Sequence, residues 1–269
     1  MEPESGDLFS NATAYEGYVG RWSRFVAQQF VAWLNIPAGC TWLDVGAGTG
    51  ILTQVILQET SPARVVGIDS SAGYIEFARQ RFHDARVELK VADAADFAFE
   101  SPQFDVAVAG LVLNFVPAPE QAAKNMVQAV KRGGTAAAYV WDYGGRMEMM
   151  RHFWDAAAVV DPVSSEMDAG HRFSIARPDN LRALFQLVGL ESVEVMPIDV
   201  QTRFKDFDDY WLPFLGAQGS VSKYLRSLSE DMLNAVRDQL RRQLPTADDG
   251  SIPLIARAWA VKGKKDASG

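Results

Sequence analysis

Short apolar runs alternate with amphipathic ones along most of the chain. Thr41-Trp42-Leu43, Arg64 to Asp69, Arg86 to Val91, Phe104 to Gly110 and Thr135 to Trp141 are runs of strand length with turn residues beside them. Phe104 to Gly110 reads as a central parallel strand, apolar on both faces. Between these runs lie helical spacings: Ile51 to about Gln58, Tyr74 to Phe82, and Pro119 to Lys131 with Ala122, Met126 and Val130 on one face. Lys131-Arg132-Gly133-Gly134 reads as the stop of that last helix, cations followed by glycine. Strand alternating with helix in this way predicts an α/β fold with a doubly wound, mostly parallel sheet.

The flanks are patterned differently. Residues 1–12 are polar. From Thr13 to Leu34, Tyr18, Trp22, Phe25, Val26, Phe30 and Trp33 recur at helical spacing, and Gly17 and Gly20 predict a bend. Met147 to Val160 has helical spacing with Met, Phe and Trp side chains, suited to ordinary core or to an acceptor pocket. Pro178 opens a helix that Gly189 closes. Glu191 to Phe204 alternates as a strand, and Pro197 predicts an edge position or a bulge. Phe207 to Leu244 contains two helical runs, the second carrying Val221, Leu225, Leu228, Met232, Val236 and Leu240. Ile252 to Val261 returns as a strand, after which a Lys-rich tail is expected to fray.

Between the first strand and its helix stands Asp44-Val45-Gly46-Ala47-Gly48-Thr49-Gly50. Alternate glycines tolerate positive φ and let a ligand lie against bare backbone. The helix behind them offers free N–H groups and a positive dipole end. The spacing is G-x-G-x-G, with Ile51 where a dinucleotide-binding turn has its last glycine, and the Lys-Ser/Thr pair of a phosphate loop is missing. Asp44 would repel a pyrophosphate and attract a cation such as an α-ammonium group.

Composition narrows the choice. The 269 residues suit one large α/β domain or a domain with an elaborated cap, and 48 % apolar content is ample for a continuous core. The net charge of −8 argues against a polynucleotide substrate. Cys40 is the one cysteine, so no intrachain disulfide can form, which fits a reducing cytoplasm. The first residues are acidic with no apolar leader-like stretch, and no run approaches a membrane span. No His/Cys or Asp/Asn spacing suggests a metal.

The segment D-V-G-A-G-T-G resembles motif I of the class I S-adenosylmethionine-dependent methyltransferases. The order of elements resembles that family over roughly residues 40–145 and more loosely to the end. The resemblance implies a Rossmann-like, seven-stranded sheet with an antiparallel last strand and a helical cap. It implies one methyltransferase domain over 1–269, with cap or lid segments at 13–35 and 205–247 over a core of about 36–204 and 250–264. It implies S-adenosyl-L-methionine as cofactor, held by Asp44, Gly46, Ala47, Gly48 and Gly50 of the turn. Asp69 lies 19 positions after Gly50 (69 − 50) at a strand end, where a carboxylate accepts two hydrogen bonds from a ribose diol. The competing role for Asp69 is a helix cap before Tyr74. Ser70 goes with it. In the family an acid after the third strand meets the adenine amine and the next backbone meets a ring nitrogen; Asp93 and Ala94 match, against a plain loop carboxylate. Leu111 completes the crevice, and Arg21, in an aromatic stretch resembling segments that cover the methionine end, joins it.

The acceptor side is less defined. Gly110-Leu111-Val112-Leu113 stands where relatives that methylate base or amide nitrogens carry an acid-or-Asn, Pro-Pro, aromatic tetrad. Asn114 can orient an acceptor, but reads better as a turn residue. Of the three histidines, His83 reads as surface, His152 as core, and His171, on a plausible crevice loop, as the base candidate; Tyr143 and Asp142 are comparable. The expected function is in-line methyl transfer to O, N or C of a small molecule. The alternative is a non-catalytic protein that binds S-adenosylmethionine as a regulator or subunit.

Overall fold

The computed structural model describes residues 20–216 and 219–267. Helix α1 (Arg21–Leu34) precedes β1 (Thr41–Val45), α2 (Ile51–Thr60), β2 (Arg64–Asp69), α3 (Ala72–Arg81), β3 (Val87–Val91) and β4 (Phe104–Gly110). There follow α4 (Pro119–Ala129), β5 (Val130–Trp141), α5 (Glu148–Val160), the short α6 (Ala169–Arg172), α7 (Pro178–Leu187) and β6 (Leu190–Phe204). The chain ends with α8 (Phe207–Gly216), α9 (Ser220–Ser227), α10 (Glu230–Gln243) and β7 (Ile252–Lys265). Residues 13–19, the first part of the expected bent helix, lie outside the described residues.

Among the described residues the strands form one seven-stranded sheet in the order β3-β2-β1-β4-β5-β7-β6. β1 pairs in parallel with β2 and β4, β2 with β3, and β4 with β5. β7 runs antiparallel to β5, from Thr135↔Lys264 to Trp141↔Ala258. The central strands are buried on both faces: Trp42, Leu43, Val65, Val66, Val106, Ala107, Val108 and Ala137 are at most 1 % exposed. A parallel strand covered by helices on both sides needs such an unbroken apolar run.

Three expectations change. Lys131-Arg132-Gly133-Gly134 does not stop α4; it belongs to β5. Val130 pairs with Phe104 and Thr135 with Val106, so these residues bulge out of register, and Gly133 takes the positive φ of 70°. The Lys-rich tail does not fray before Lys265: that ammonium donates to the carbonyls of Val127 and Val130 at 2.8 and 2.9 Å. The run from Val221 to Leu240 is two helices, because Ser229 caps α10 by accepting from the Met232 N–H. Pro197 sits, as its chemistry requires, on a strand at the sheet edge.

The chain divides into two compact units. Among the described residues, one takes in residues 20–22, Asp142–Ser174 and Asp199–Arg257; the other Ser23–Trp141, Ile175–Ile198 and residues 258–267. In the first, the rings of Phe153, Phe214, Tyr210 and Phe204 form a chain of contacts with centroids 5.0–5.3 Å apart, and Trp154 meets Tyr224 at 5.7 Å. The apolar face of α5 is therefore core packing. The Tyr210 hydroxyl donates to the Met149 carbonyl at 2.8 Å.

Candidate functional site

The strand order reverses between β1 and β4, which makes the crevice at their carboxyl ends the place where a doubly wound sheet binds ligands. The glycine turn leaves β1 on one side of it and residues 111–115 leave β4 on the other. Both segments, and every cofactor candidate except Arg21, belong to the second unit.

The turn is held by the neighbouring strand. The N–H groups of Gly46 and Ala47 both donate to the Ile68 carbonyl, at 2.8 and 2.9 Å. Gly46, Gly48 and Gly50 have φ of 73°, 54° and 87°. They are glycine for different reasons. A Cβ on Gly46 would come within 2.5 Å of Val112, and one on Gly50 would strike the Phe82 ring. A Cβ on Gly48 would meet nothing within 4 Å. The close-approach argument thus belongs to Gly48; the outer two glycines answer to the protein's own packing. No side chain caps α2, so its first N–H groups are left for other partners.

Asp44 is 1 % exposed. One carboxylate oxygen accepts from the Thr53 hydroxyl at 2.7 Å, and the other, Oδ1, is buried with no partner. Burial raises its pKa to about 7, the Thr53 hydrogen bond pulls it back, and the Asp69 charge adds to the rise. Asp69 closes β2. Its two oxygens accept from the N–H groups of Gly48 and Ser71, at 2.9 and 2.8 Å. Burial raises its pKa against those two bonds. The helix cap that competed for Asp69 is instead Ser71, whose hydroxyl accepts from the Tyr74 N–H at 3.3 Å. Each Asp69 oxygen keeps a lone pair for a second donor. Ser70 is exposed at the same strand end.

Asp93 follows β3. Its carboxylate is exposed and accepts from the Ala95 N–H at 2.7 Å, while the Asn125 amide holds the Ala94 carbonyl at 3.2 Å. The Ala92 N–H donates to the Asp69 carbonyl, so the ends of β2 and β3 are joined. Asp44, Asp69 and Asp93 therefore stand at the carboxyl ends of three adjacent parallel strands. Leu111, with the positive φ of 59°, is buried and donates its N–H to the Tyr139 carbonyl. Past it, Phe115 N–H closes a turn onto the Val112 carbonyl at 2.8 Å.

The remaining candidates lie in the first unit. Arg21 donates to Asp209 at 2.9 Å and lies 4.7 Å from the rings of both Trp22 and Phe204. His171 is 70 % exposed, its Nδ1 3.3 Å from the Ser165 carbonyl and 3.9 Å from Asp168. Asp168 is spoken for by Arg151, whose Nη1 donates to it at 3.1 Å and also to the Tyr143 carbonyl at 3.0 Å. Asp142 accepts from the Arg146 N–H. Sequence reasoning missed Thr53, Val112, Phe82 and Asn125, which support the site. Only Thr53 left a signal, a hydroxyl among the apolar positions Leu52, Val55 and Ile56 of its helix, four residues past Thr49.

The fold is a Rossmann-like α/β sheet with its crevice at the β1/β4 switch point. A family model described as a methyltransferase domain matches residues 43–138. A trans-aconitate 2-methyltransferase of Variovorax paradoxus is 29 % identical over 179 residues, 66 % of this chain and 64 % of that protein. A 2-phytyl-1,4-naphtoquinone methyltransferase of Thermosynechococcus vestitus is 29 % identical over 183 residues, 64 % of this chain and 81 % of its own. The matched region thus spans just under two thirds of the first relative. Among solved structures, a Haemonchus contortus phosphoethanolamine N-methyltransferase 2 bound to phosphomonomethylethanolamine and S-adenosylhomocysteine shares the fold. The TM-score is 0.61 at 15 % identity, covering 97 % of this chain and 58 % of that one. Residues 43–138 are thus a methyltransferase domain, and these matches together with the sheet order support a class I S-adenosylmethionine-dependent methyltransferase, a family whose cofactor is S-adenosyl-L-methionine.

Proposed function

We propose that this protein transfers the methyl group of S-adenosyl-L-methionine to a small-molecule acceptor at oxygen, nitrogen or carbon. The observation that carries the reading is the buried, unpartnered Oδ1 of Asp44 beside a glycine turn that is open at Gly48. An unpaired buried carboxylate oxygen is costly unless a cation or donor completes it. In this reading Asp44 takes the amino-acid end of the cofactor and Gly46, Ala47, Gly48 and Gly50 pass beneath it. Asp69, with Ser70, takes the ribose hydroxyls, Asp93 and Ala94 the adenine edge, and Leu111 the floor. Arg21 is assigned to the methionine end.

The cofactor supplies a methyl group already activated by a sulfonium. The residues of this chain therefore need to orient the acceptor and exclude water more than to perform covalent chemistry. A base serves only an acceptor that arrives with its proton; His171, beside Asp168, is assigned that role. Residues 1–269 are taken as one methyltransferase domain, with 13–35 and 205–247 as cap segments, supported by the single sheet that all seven described strands share. No helix among the described residues is long and apolar enough to cross a membrane. A cytoplasmic protein acting on neither nucleic acid nor membrane fits the lone Cys40 and the charge of −8.

Calorimetric titration tests the cofactor. S-adenosyl-L-methionine should bind and NADH should not; the reverse would reject the reading. Labelled methyl transfer across a metabolite panel then separates an enzyme from a protein that only binds the cofactor.

A further inference from the structure

Asn114 is 8 % exposed, and neither its amide oxygen nor its amide nitrogen has a hydrogen-bond partner. Leaving both ends of a buried amide unpaired destabilises a fold, and an apolar side chain of the same shape would not. A turn asparagine ordinarily bonds nearby backbone or faces water. This one, third of the four residues in the Val112–Phe115 turn, does neither.

Its place in the fold explains why such an amide is kept. The turn lies on the segment leaving β4, and Val112 in it packs directly on Gly46 of the glycine turn leaving β1. Asn114 therefore stands on one side of the switch-point crevice, within the same unit as the glycine turn. Across from it, on the turn side, Asp44 Oδ1 and Thr49 Oγ1 are likewise buried without partners.

We propose that Asn114 binds the methyl acceptor, hydrogen-bonding the atom that receives the methyl group, and that this atom is an oxygen. The proposal rests on reading the crevice as the S-adenosylmethionine site. An amide offers two N–H donors and one carbonyl acceptor, and it is not a base. A neutral amine nitrogen can donate an N–H to the amide carbonyl, but once its one lone pair is aimed at the methyl carbon nothing is left to accept from the amide N–H, and half of Asn114 stays unpaired. An oxygen keeps a spare pair for the amide N–H while another attacks. A hydroxyl can in addition donate to the amide carbonyl. In the transfer the acceptor oxygen forms its bond to the methyl carbon, the carbon–sulfur bond breaks, and that electron pair stays on sulfur. An anionic oxygen loses its charge in the step, so no proton has to leave; a hydroxyl acceptor gives up its proton to water, because the amide cannot take it. Hydrogen bonds to an oxyanion weaken as that charge disappears, so Asn114 contributes orientation rather than charge stabilisation.

The test compares wild type with Asn114→Leu and Asn114→Asp. The readouts are thermal unfolding, calorimetry with S-adenosyl-L-methionine, and labelled methyl transfer to trans-aconitate, catechol and phosphoethanolamine. For Asn114→Leu the melting temperature should hold or rise by about 2–4 °C. Its cofactor Kd should stay within about twofold, while kcat/KM on the oxygen acceptors should fall by about tenfold or more. In Asn114→Asp, which turns the donor into a charge, transfer to the trans-aconitate carboxylates should fall further than transfer to the catechol hydroxyls. A clear drop in melting temperature for Asn114→Leu would make the amide structural and overturn the proposal. So would a cofactor Kd weakened by about tenfold, which would make Asn114 a cofactor ligand. Methyl transfer unaffected in Asn114→Leu, or wild-type turnover on neither oxygen acceptor, would overturn it as well. Failure of the wild type to bind S-adenosyl-L-methionine would instead reject the underlying reading of the crevice.

Discussion

Asp44 makes the stability of the unliganded protein depend on pH in a way that can be worked out in advance. Its pKa rises from 3.8 to about 7, chiefly because burial disfavours the charged carboxylate. The folded state thus holds this proton more tightly than the unfolded state does. The resulting stability is fully present below pH 3.8 and is lost as pH rises towards 7. At 1.36 kcal/mol per pKa unit, raising the pH from about 5 to about 8 should remove about 3 kcal/mol. For a chain of this length that is a fall in melting temperature of about 6 °C or more. Asp69, also raised by burial, adds in the same direction. His152 works against both below its ordinary 6.5, because burial lowers its pKa. The informative quantity is therefore the difference between wild type and Asp44→Asn, followed by thermal denaturation across that range. The variant should lose most of the downward slope. Parallel curves for the two proteins would refute the reasoning. The same carboxyl should release a proton when an ammonium-bearing ligand binds below about pH 7, a release that calorimetry in buffers of different ionisation heat detects.

Three further outcomes are expected. Gly46→Ala should destabilise the fold, because its Cβ meets Val112; Gly48→Ala should cost only the left-handed backbone, about 1–2 kcal/mol, yet weaken S-adenosyl-L-methionine binding more than Gly46→Ala does per unit of lost stability. Equal stability losses for the two, measured by urea unfolding, would contradict the packing described. Asp69→Ala should weaken cofactor binding by about 1.5–3 kcal/mol, the range for hydrogen bonds to a charged group, and unchanged affinity would remove the ribose assignment. His171→Gln should leave cofactor binding intact and lower kcat for a hydroxyl acceptor by about tenfold or more; unchanged turnover would take the base role away.

Most of the sheet was legible because each buried parallel strand is a compact apolar run with its own punctuation: Arg64–Asp69 and Phe104–Gly110 match residue for residue. Where the reading failed, a tertiary contact overrode local chemistry. Lys131 to Gly134 looks like a helix stop and is carried into a strand as a bulge, because Val130 and Thr135 on either side of it pair with β4. The tail beyond Val261 looks soluble and charged, yet Lys265 anchors it to carbonyls far back in sequence. The acids at the strand ends were legible from the apolar runs before them, while the part given to Asp93 came from the family resemblance. The differing reasons for three identical glycines were not, since Val112 and Phe82 approach them only in the folded chain. Asn114 shows the same limit: its turn was foreseeable, its burial was not.

The bond from the Gly48 amide to Asp69 has a consequence for how this protein can change. The acid assigned to the sugar also fastens the bend that receives the rest of the nucleoside. Any substitution made there to welcome a differently decorated ribose would unclasp that bend at the same moment. Drift towards another donor through this position is thereby closed off, and novelty is left to the acceptor half of the molecule.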